Sequence, residues 1–276
     1  MTHTSRGRLW LEALSGREAE PVLNTPSVLS ARVALPPVAS AALALAVVPD
    51  VCSRMPRATH GEMGLEQAWT LAARIRQCIA DDEGSAERTP ILAVVDTPGQ
   101  AFGRVEEERC ISAACAASVE AYAAARAAGH PLLTLIVGRA ISGSFLAHGL
   151  QGDAILALGG EDIMMHAMSR QSIARVTRRT LAEVAQDAAV VLPMSYAIED
   201  AHRLGIVDTV IPGISGTSVD APRPEDVATV RGHLAAALAA RTTMKQRYEA
   251  ATANPHRLAT AEVRRTLRMQ WNHFTQ

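Results

Sequence analysis

The sequence predicts an α/β fold with a mainly parallel sheet and a helical C-terminal tail. Short apolar runs of strand length recur along the first 211 residues, and segments with helical spacing separate them. From residue 225 onward only helical periodicity is present. The chain has 276 residues, of which 48% are hydrophobic, so it can bury one large core or two modest ones.

Five apolar runs are predicted to be buried strands, because each is bounded by Pro, Gly or Asp. They cover residues 42–48, 91–96, 132–138, 154–158 and 206–211. Helical spacing occurs at residues 65–79, and an alanine-rich helix is expected at residues 105–128. Since strands and helices alternate, the strands should run parallel to one another.

The composition changes after the last predicted strand. Residues 212–224 are rich in Gly, Ser, Thr and Pro, which predicts a loop or linker. We therefore divide the chain into a core domain at residues 1–211, this linker, and a helical extension at residues 225–276. Asn254 and Pro255 predict a break between two helices of the extension. We expect the extension to pack on the core or on a partner subunit.

Charge and cysteine content narrow the possible classes of function. The chain carries 27 Lys and Arg against 28 Asp and Glu, so it offers no basic surface for nucleic acid. Its 4 cysteines form neither a CxxC pair nor a zinc-like cluster with histidine, which predicts no metal site and a reducing, cytoplasmic environment. The longest apolar stretch, residues 39–48, is too short to span a bilayer, so no membrane segment is predicted.

The first candidate site is the segment DTPGQAFG at residues 96–103, which follows a predicted strand. Pro98 fixes one backbone dihedral angle, and Gly99 permits conformations that other residues avoid. The N–H group of Gln100 or of Ala101 could therefore point into a cavity instead of continuing a strand. An ordinary strand-to-helix turn would explain the same residues.

The second candidate site is the segment GRAISGSFLAHG at residues 138–149, which follows the next predicted strand. Its small residues open a helix, and amides in a first helical turn have no intrahelical acceptor. Gly143 and Ser144 are therefore candidate donors to an anionic oxygen at the positive end of the helix dipole. In the alternative interpretation, Ser142 caps the helix and the small residues allow close packing.

The two turns together are more informative than either turn alone. Neighbouring parallel strands end at the same edge of a sheet, so the amides of both turns can face one pocket, which predicts an oxyanion hole. His166 lies near the end of a later strand, as a buried structural histidine or as a polar pocket residue. Arg175, Arg178 and Arg179 form either a solvated helix face or an anion site.

Several blocks of the sequence resemble the malonate decarboxylase gamma subunit, a member of the carboxyltransferase branch of the crotonase superfamily. The DTPGQAFG segment is similar to the DTPG-type turn of biotin-dependent carboxyltransferases. Gln100 stands where those enzymes usually carry an aromatic or apolar residue, although glutamine suits the decarboxylase subunit. The resemblance continues in the same order through RGRLWLEALSG, GEMGLEQAW, GRAISGSFLAHG and MMHAMSRQSIARVTRR, at residues 6–16, 61–69, 138–149 and 164–179.

This resemblance implies a crotonase-like fold and a complex with a beta subunit. It implies decarboxylation of a malonyl thioester, which the phosphopantetheine group of an acyl carrier protein presents, with no cofactor bound directly to this chain. Four residues are then expected to supply N–H donors to the enolate oxygen: Gln100 or Ala101 in the first turn, and Gly143 or Ser144 in the second. Three more are expected to bind the substrate: Gly99, Ser142 and His166.

Two other functions are compatible with the sequence. Clp-type serine peptidases share the crotonase-like fold, and the 24 positions between Ser142 and His166 match the spacing of their nucleophile and base. The acid of such a triad would be Asp187, Asp200 or Asp208, none of which stands in a distinctive pattern. A noncatalytic scaffold subunit of a carboxyltransferase would instead explain why the sequence offers no clear acid–base pair.

Overall fold

The structure, a computed structural model, describes residues 5–274, and these residues form an eight-stranded sheet. Its strands are β1 (Glu20–Val22), β2 (Thr25–Leu35), β3 (Ala39–Val47), β4 (Ile91–Thr97), β5 (Leu132–Ile141), β6 (Ala154–Leu158), β7 (Met164–His166) and β8 (Thr209–Ile211). The strand order is β1-β2-β3-β4-β5-β6-β8, and β7 pairs with the carboxyl end of β5. The pairs from β3 to β8 are parallel, whereas β1–β2 and β2–β3 are antiparallel. The predicted α/β fold with a mainly parallel sheet is confirmed.

Twelve α-helices accompany the sheet in the described part of the chain. They are α1 (Arg6–Ser15), α2 (Leu65–Asp81), α3 (Arg104–Glu108), α4 (Ile111–Ala127), α5 (Ser142–Ala147), α6 (Arg170–Thr177), α7 (Leu181–Val190), α8 (Ile198–Arg203), α9 (Thr217–Asp220), α10 (Pro224–Ala240), α11 (Met244–Ala253) and α12 (Leu258–Phe274).

Both faces of the sheet are covered by helices, as the alternating side chains of β3 show. Leu43 and Leu45 pack into a cluster with apolar residues of α2 and α4. Ala44 and Ala46 point the other way, into a cluster with apolar residues of α1 and α10. Strands that are buried on both faces have nearly continuous apolar sequences. That is why the central strands are recognisable from the sequence.

The predicted strand at residues 206–211 is shorter than expected, because only Thr209–Ile211 pairs with β6. The preceding segment turns at Gly205, whose φ is 67°. The N–H of Asp208 donates to the Ile155 carbonyl at 2.8 Å, and the Asp208 carboxylate accepts the Ile155 N–H at 2.6 Å. Strands β1 and β2 are not predicted, because Ser, Pro and Arg interrupt the run of apolar residues in their sequences.

The helix predicted at residues 105–128 is two helices in the structure. Helix α3 ends at Glu108 and α4 begins at Ile111. Cys110 lies between them with a φ of 58°, a left-handed conformation that ends a right-handed helix. Apolar spacing continues on both sides of Cys110, so periodicity alone does not reveal the break.

The segment predicted to be a linker contains α9, which fixes the N-terminal helix. Trp10 Nε1 donates to the Val219 carbonyl at 2.8 Å, and Arg6 Nε pairs with Asp220 Oδ1 at 2.6 Å. Asp220 and Arg6 stabilise each other's charged forms, so the pKa of Asp220 is lowered. Residues after the last strand therefore hold α1 against the sheet.

The predicted helical tail is confirmed, and its first helix packs on the core. Val230 and Leu234 of α10 are fully buried. Helix α11 is attached through the Arg247 guanidinium, which donates to the carbonyls of Gly152 at 2.9 Å and Ile206 at 2.8 Å. These two contacts satisfy main-chain acceptors at the ends of core elements and fix the position of α11.

The last helix follows the predicted break and presents apolar side chains to solvent. A 3₁₀ turn at Pro255–Arg257 separates α11 from α12. Val263, Leu267 and Trp271 lie four positions apart on α12, and each is more than half exposed. No helix among residues 5–274 is both long and apolar enough to cross a membrane.

Candidate active site

The turn after β4 is held in place by main-chain hydrogen bonds to a distant loop. The Met63 N–H donates to the Gly99 carbonyl at 3.0 Å, and the Ala101 N–H donates to the Met63 carbonyl at 2.8 Å. Successive amides of an extended segment point to opposite sides, so the Gln100 N–H faces away from this loop. Of the two donors predicted in this turn, the Ala101 N–H is already bonded to Met63. The Gln100 N–H is therefore the one that a ligand can reach.

The second turn joins β5 directly to α5. Ser142 is the first helical residue and has a φ of 62°, an unusual conformation for a residue with a side chain. It is not the helix cap, since Ile141 takes that position and no side chain caps α5. Gly143 and Ser144 lie in the first helical turn, where main-chain N–H groups have no intrahelical acceptor. Within residues 5–274, neither N–H donates to a group outside the helix.

A buried hydroxyl pair ties the two turns together. The Ser144 hydroxyl donates to the Ile141 carbonyl at 2.7 Å, so it can accept the Thr97 hydroxyl, which lies 2.9 Å away. Ser144 and Thr97 are both buried. Burial makes these bonds costly to lose, because each hydroxyl would be left without water. The end of β4 is thereby locked to the start of α5.

Asp96, the first residue of the DTPG-type turn, has a structural role. Its carboxylate accepts the Arg139 N–H at 3.1 Å and the Arg6 N–H at 3.2 Å, which joins β4 to β5 and to α1. The Arg139 guanidinium lies 3.5 Å away and adds an ion pair. Gly138 leaves room for this carboxylate, since an added Cβ there would overlap Asp96 Oδ1.

The Gln100 side chain bridges the two turns on the pocket side. Its Oε1 accepts a long hydrogen bond of 3.4 Å from the Ser142 hydroxyl. The same oxygen lies so close to Gly143 that an added Cβ would overlap it. The amide of Gln100 therefore covers the start of α5, where the candidate N–H donors lie.

These elements enclose a pocket of about 530 Å³. Three of the predicted site residues line it, namely Gly99, Gln100 and Ser142. Its remaining lining comes from the loop at residues 57–62, from Pro98 and Phe102, and from the region of α6: Met168, Ser169, Gln171, Ser172, Arg175 and Val176. The predicted donors Gly143 and Ser144 do not line it, and the Gln100 side chain covers Gly143.

Sequence patterns miss a charged arrangement beside this pocket. Arg57 Nη1 donates to Glu62 Oε1 at 2.9 Å, and its guanidinium lies over the Phe102 ring, 3.6 Å from the ring centre. Glu62 is buried, and its Oε2 has no hydrogen-bond partner among residues 5–274. Arg175 also lines the pocket and is exposed. Arg57 and Glu62 stand in an irregular loop, so no periodicity points to them.

The chain is similar to known proteins in both sequence and structure. The malonate decarboxylase gamma subunit family matches residues 58–271. This chain belongs to that family. A chain of a Pseudomonas malonate decarboxylase hetero-tetramer, solved in complex with coenzyme A, is 39% identical and superposes with a TM-score of 0.88. That match covers 97% of this chain and 100% of the Pseudomonas chain.

Two more distant relatives define how far the similarity extends. The malonyl-S-ACP:biotin-protein carboxyltransferase of Malonomonas rubra is 35% identical over 167 residues, which make up 59% of this chain and 57% of that protein. A transcarboxylase 12S chain is 20% identical and has a TM-score of 0.62, with 87% of this chain and 42% of that chain covered. The second match shows the fold alone. The predicted gamma subunit family and crotonase-like fold are confirmed.

In this gamma subunit family member, His166 pairs in the sheet with Ile141, next to Ser142, but within residues 5–274 the two side chains bond to other groups. His166 Nδ1 lies 2.8 Å from the Met168 carbonyl, and its ring stacks on Tyr196 with 4.2 Å between ring centres. Burial lowers the pKa of His166, which favours the neutral ring. His166 lines a different pocket, toward α11, whereas Ser142 bonds Gln100.

The acids considered for a peptidase triad are also engaged elsewhere. Asp187 pairs with Arg179, and Asp200 pairs with Arg203 at 2.9 Å. The Asp208 carboxylate, just before β8, accepts a hydrogen bond from the Ile155 N–H. The Ser–His–Asp arrangement of a serine peptidase is therefore not assembled by these residues.

One group of metal-type ligands lies away from the pocket, at the end of α2. Atoms of Cys78, Asp82 and His130 come within 4.8 Å of one another. The Asp82 carboxylate accepts the Thr89 N–H at 2.6 Å, and His130 Nδ1 donates to the Thr89 carbonyl at 2.9 Å. These bonds fix the connection that leads into β4, and burial raises the pKa of the Cys78 thiol.

Proposed function

We propose that this chain is the gamma subunit of a malonate decarboxylase and acts with a beta subunit. The complex would convert a malonyl thioester on an acyl carrier protein into an acetyl thioester and carbon dioxide. The observation that carries this proposal is the pair of turns that meet at one pocket. Within residues 5–274, the N–H groups of Gln100, Gly143 and Ser144 donate to no group outside their own turn. Family membership and the malonyl-S-ACP substrate in the name of the Malonomonas rubra relative support it.

The proposed chemistry needs electrostatic stabilisation more than it needs a nucleophile. When the bond between the α-carbon and the carboxylate breaks, its electron pair enters the thioester to form an enolate. Negative charge then grows on the former carbonyl oxygen, while the carboxylate leaves as neutral carbon dioxide. N–H donors that are fixed before the reaction stabilise this transition state more than the ground state. Protonation of the α-carbon completes the acetyl thioester.

We assign the donors to the Gln100 N–H in the first turn and to Gly143 or Ser144 in the second. The Gln100 side chain would have to move away from Gly143 for a thioester oxygen to reach α5. It can do so at modest cost, because within residues 5–274 its side chain makes one hydrogen bond, the long one from Ser142. Once displaced, the side-chain amide remains beside the substrate and can donate to it.

The carrier and the partner follow from the same proposal. The phosphopantetheine arm of the carrier protein would deliver the malonyl group, and this chain would hold no cofactor of its own. We propose that residues 1–211 carry the site and that residues 225–276 form an extension for assembly. The exposed apolar side chains of α12 favour this role, since such a stripe is usually covered by a partner.

Reconstitution tests the proposal. Carbon dioxide release from malonyl-S-carrier protein would be measured with this chain, with the beta subunit, and with both together. We expect activity only from the mixture, together with co-elution of the two chains. Full activity of the beta subunit alone would contradict the proposal and would mean that this chain is a noncatalytic scaffold.

A further inference from the structure

We propose that Arg57 binds the carboxylate of the malonyl group in the 530 Å³ pocket. This inference rests on the proposed function, since it concerns the substrate of the same site. Arg57 is held on two sides, by Glu62 Oε1 at 2.9 Å and by the Phe102 ring at 3.6 Å. An arginine held in this way loses little conformational freedom when it binds an anion.

Arg57 retains donors for a ligand after its contacts inside the protein are made. A guanidinium has five N–H donors, and within residues 5–274 the Arg57 side chain donates one hydrogen bond, from Nη1 to Glu62. Its side chain is 37% exposed, so solvent or a ligand can reach it. Arginine matches the planar carboxylate better than lysine does, because two parallel hydrogen bonds can form.

The charge balance of the pocket favours one extra negative charge. The ionisable residues in its lining are Arg57, Glu62 and Arg175. The negative charge of Glu62 is balanced by its ion pair with Arg57. Arg175 forms no ion pair within the described residues. The pocket therefore has a net positive charge, and a malonyl thioester carries one negative charge.

Arg57 lines the same pocket as Gln100, which supplies the proposed N–H donor of the first turn. Phe102, on which the Arg57 guanidinium lies, is two residues beyond Gln100, and all three residues line the pocket. Gln100 provides the proposed N–H donor and covers Gly143. A malonyl group could therefore place its thioester oxygen at the amides and its carboxylate at Arg57.

The expected kinetic signature is specific to this reaction. Arg57 would stabilise the carboxylate in the bound substrate, but that charge disappears from the carboxylate as carbon dioxide leaves. An interaction that is stronger in the ground state than in the transition state lowers KM without raising kcat. Loss of Arg57 should therefore raise KM and leave kcat unchanged or higher.

The test compares malonyl-S-carrier protein as substrate with acetyl-S-carrier protein as competitive inhibitor of the reconstituted complex. We expect Arg57→Gln to raise KM for the malonyl form by about 10- to 100-fold, the range for a hydrogen bond to a charged group. The inhibition constant of the acetyl form should stay within about threefold. The acetyl form has the same carrier and phosphopantetheine arm but lacks the carboxylate.

A matched variant separates binding from folding. Arg57→Gln leaves the buried Glu62 carboxylate without its partner, which can destabilise the loop. The double variant Arg57→Gln/Glu62→Gln removes both charges and should show the same selective loss in a stable complex. Glu62→Gln alone keeps the Arg57 charge and should raise the malonyl KM less.

Two outcomes would overturn the inference. Equal weakening of the malonyl and acetyl forms in the double variant would mean that Arg57 contacts the carrier arm or only supports the loop. An unchanged malonyl KM would mean that the carboxylate binds elsewhere. A wild-type complex that released no carbon dioxide would instead contradict the proposed function, so the two failures are distinguishable.

Discussion

The two turns that meet at the pocket are held by different kinds of contact. The turn after β4 is fixed by two main-chain hydrogen bonds to Met63. The turn into α5 is fixed by buried side chains, namely the Thr97–Ser144 hydroxyl pair at its start and the Tyr122–His148 contact at its end. The Gln100 side chain of the first turn should therefore be replaceable without unfolding, whereas the second turn should respond strongly to changes in its buried side chains.

The largest expected effect concerns the Gly143 N–H in the second turn. In a Gln100→Ala background, which removes the overlapping side chain, we compare Gly143→Pro with Gly143→Ala. Both variants add a Cβ, but only proline removes the N–H, and proline is tolerated in a first helical turn. Gly143 does not have a positive φ, so the alanine control is not strained. Turnover should fall about 10²- to 10³-fold in the proline variant relative to the alanine variant.

Circular dichroism and co-elution with the beta subunit must accompany these rates, because a disrupted α5 would also reduce turnover. If the folded, assembled proline variant matched its alanine control, the donor would be Ser144 or a group of the partner subunit.

The next effect concerns the contact between the strands that lead into the two turns. Gly138→Ala would place a Cβ against the buried Asp96 carboxylate, so one of them must shift. The free energy of unfolding should fall by about 1 to 3 kcal/mol, as for other overpacked sites. Gly232→Ala is the matched control, because nothing lies within 4 Å of that added Cβ. On helix α10 it should stabilise the protein by about 0.5 to 1 kcal/mol. Urea denaturation measures both, and equal effects would contradict the packing argument.

A smaller effect should make the second turn sensitive to acid. His148 is buried with its Nδ1 2.8 Å from the Tyr122 hydroxyl, and burial lowers its pKa from 6.5 to about 4. Between these two values the unfolded chain binds more protons, so stability falls as the pH decreases. From pH 7 to pH 5 the wild type should lose about 2 kcal/mol more unfolding free energy than His148→Gln, which does not titrate. Equal losses in urea denaturation would show that the histidine is not kept neutral by burial.

The smallest effect concerns the side-chain contact between the turns. Ser142→Ala removes a long 3.4 Å hydrogen bond to Gln100 and keeps every main-chain donor. Turnover should decrease by about fivefold at most, equivalent to about 1 kcal/mol. A serine peptidase would lose nearly all activity with this change. A decrease of several orders of magnitude in a folded complex would contradict the N–H mechanism.

The sequence reveals local features of this site better than its long-range contacts. The two glycine-containing turns follow apolar strands, so their place at one edge of the sheet is predictable. The hydrogen bond from the Ala101 N–H to the Met63 carbonyl is not predictable, because it joins two segments that no local sequence pattern relates. Arg57 and Glu62 are not predictable for the same reason. Their proposed role depends on the contact of Arg57 with Phe102 and on their position in the pocket.

Secondary structure shows the same limit. The central strands are predictable because helices bury both of their faces, which requires nearly continuous apolar residues. The antiparallel strand β2 mixes Ser, Pro and Arg with apolar residues and lacks that signal. The break at Cys110 depends on one left-handed residue inside an otherwise helical pattern, so periodicity cannot predict it.

Hydrogen exchange of the product thioester tests the central claim most directly. The enolate formed by decarboxylation is also formed when a proton leaves the methyl group of an acetyl thioester. The wild-type complex should therefore catalyse exchange of these protons with deuterium from D₂O, which NMR or mass spectrometry of acetyl-S-carrier protein would measure. Gly143→Pro in the Gln100→Ala background should slow exchange and decarboxylation by the same factor, while Arg57→Gln should leave exchange unchanged. Unaltered exchange in a Gly143→Pro complex that no longer decarboxylates would contradict stabilisation of the enolate by this N–H.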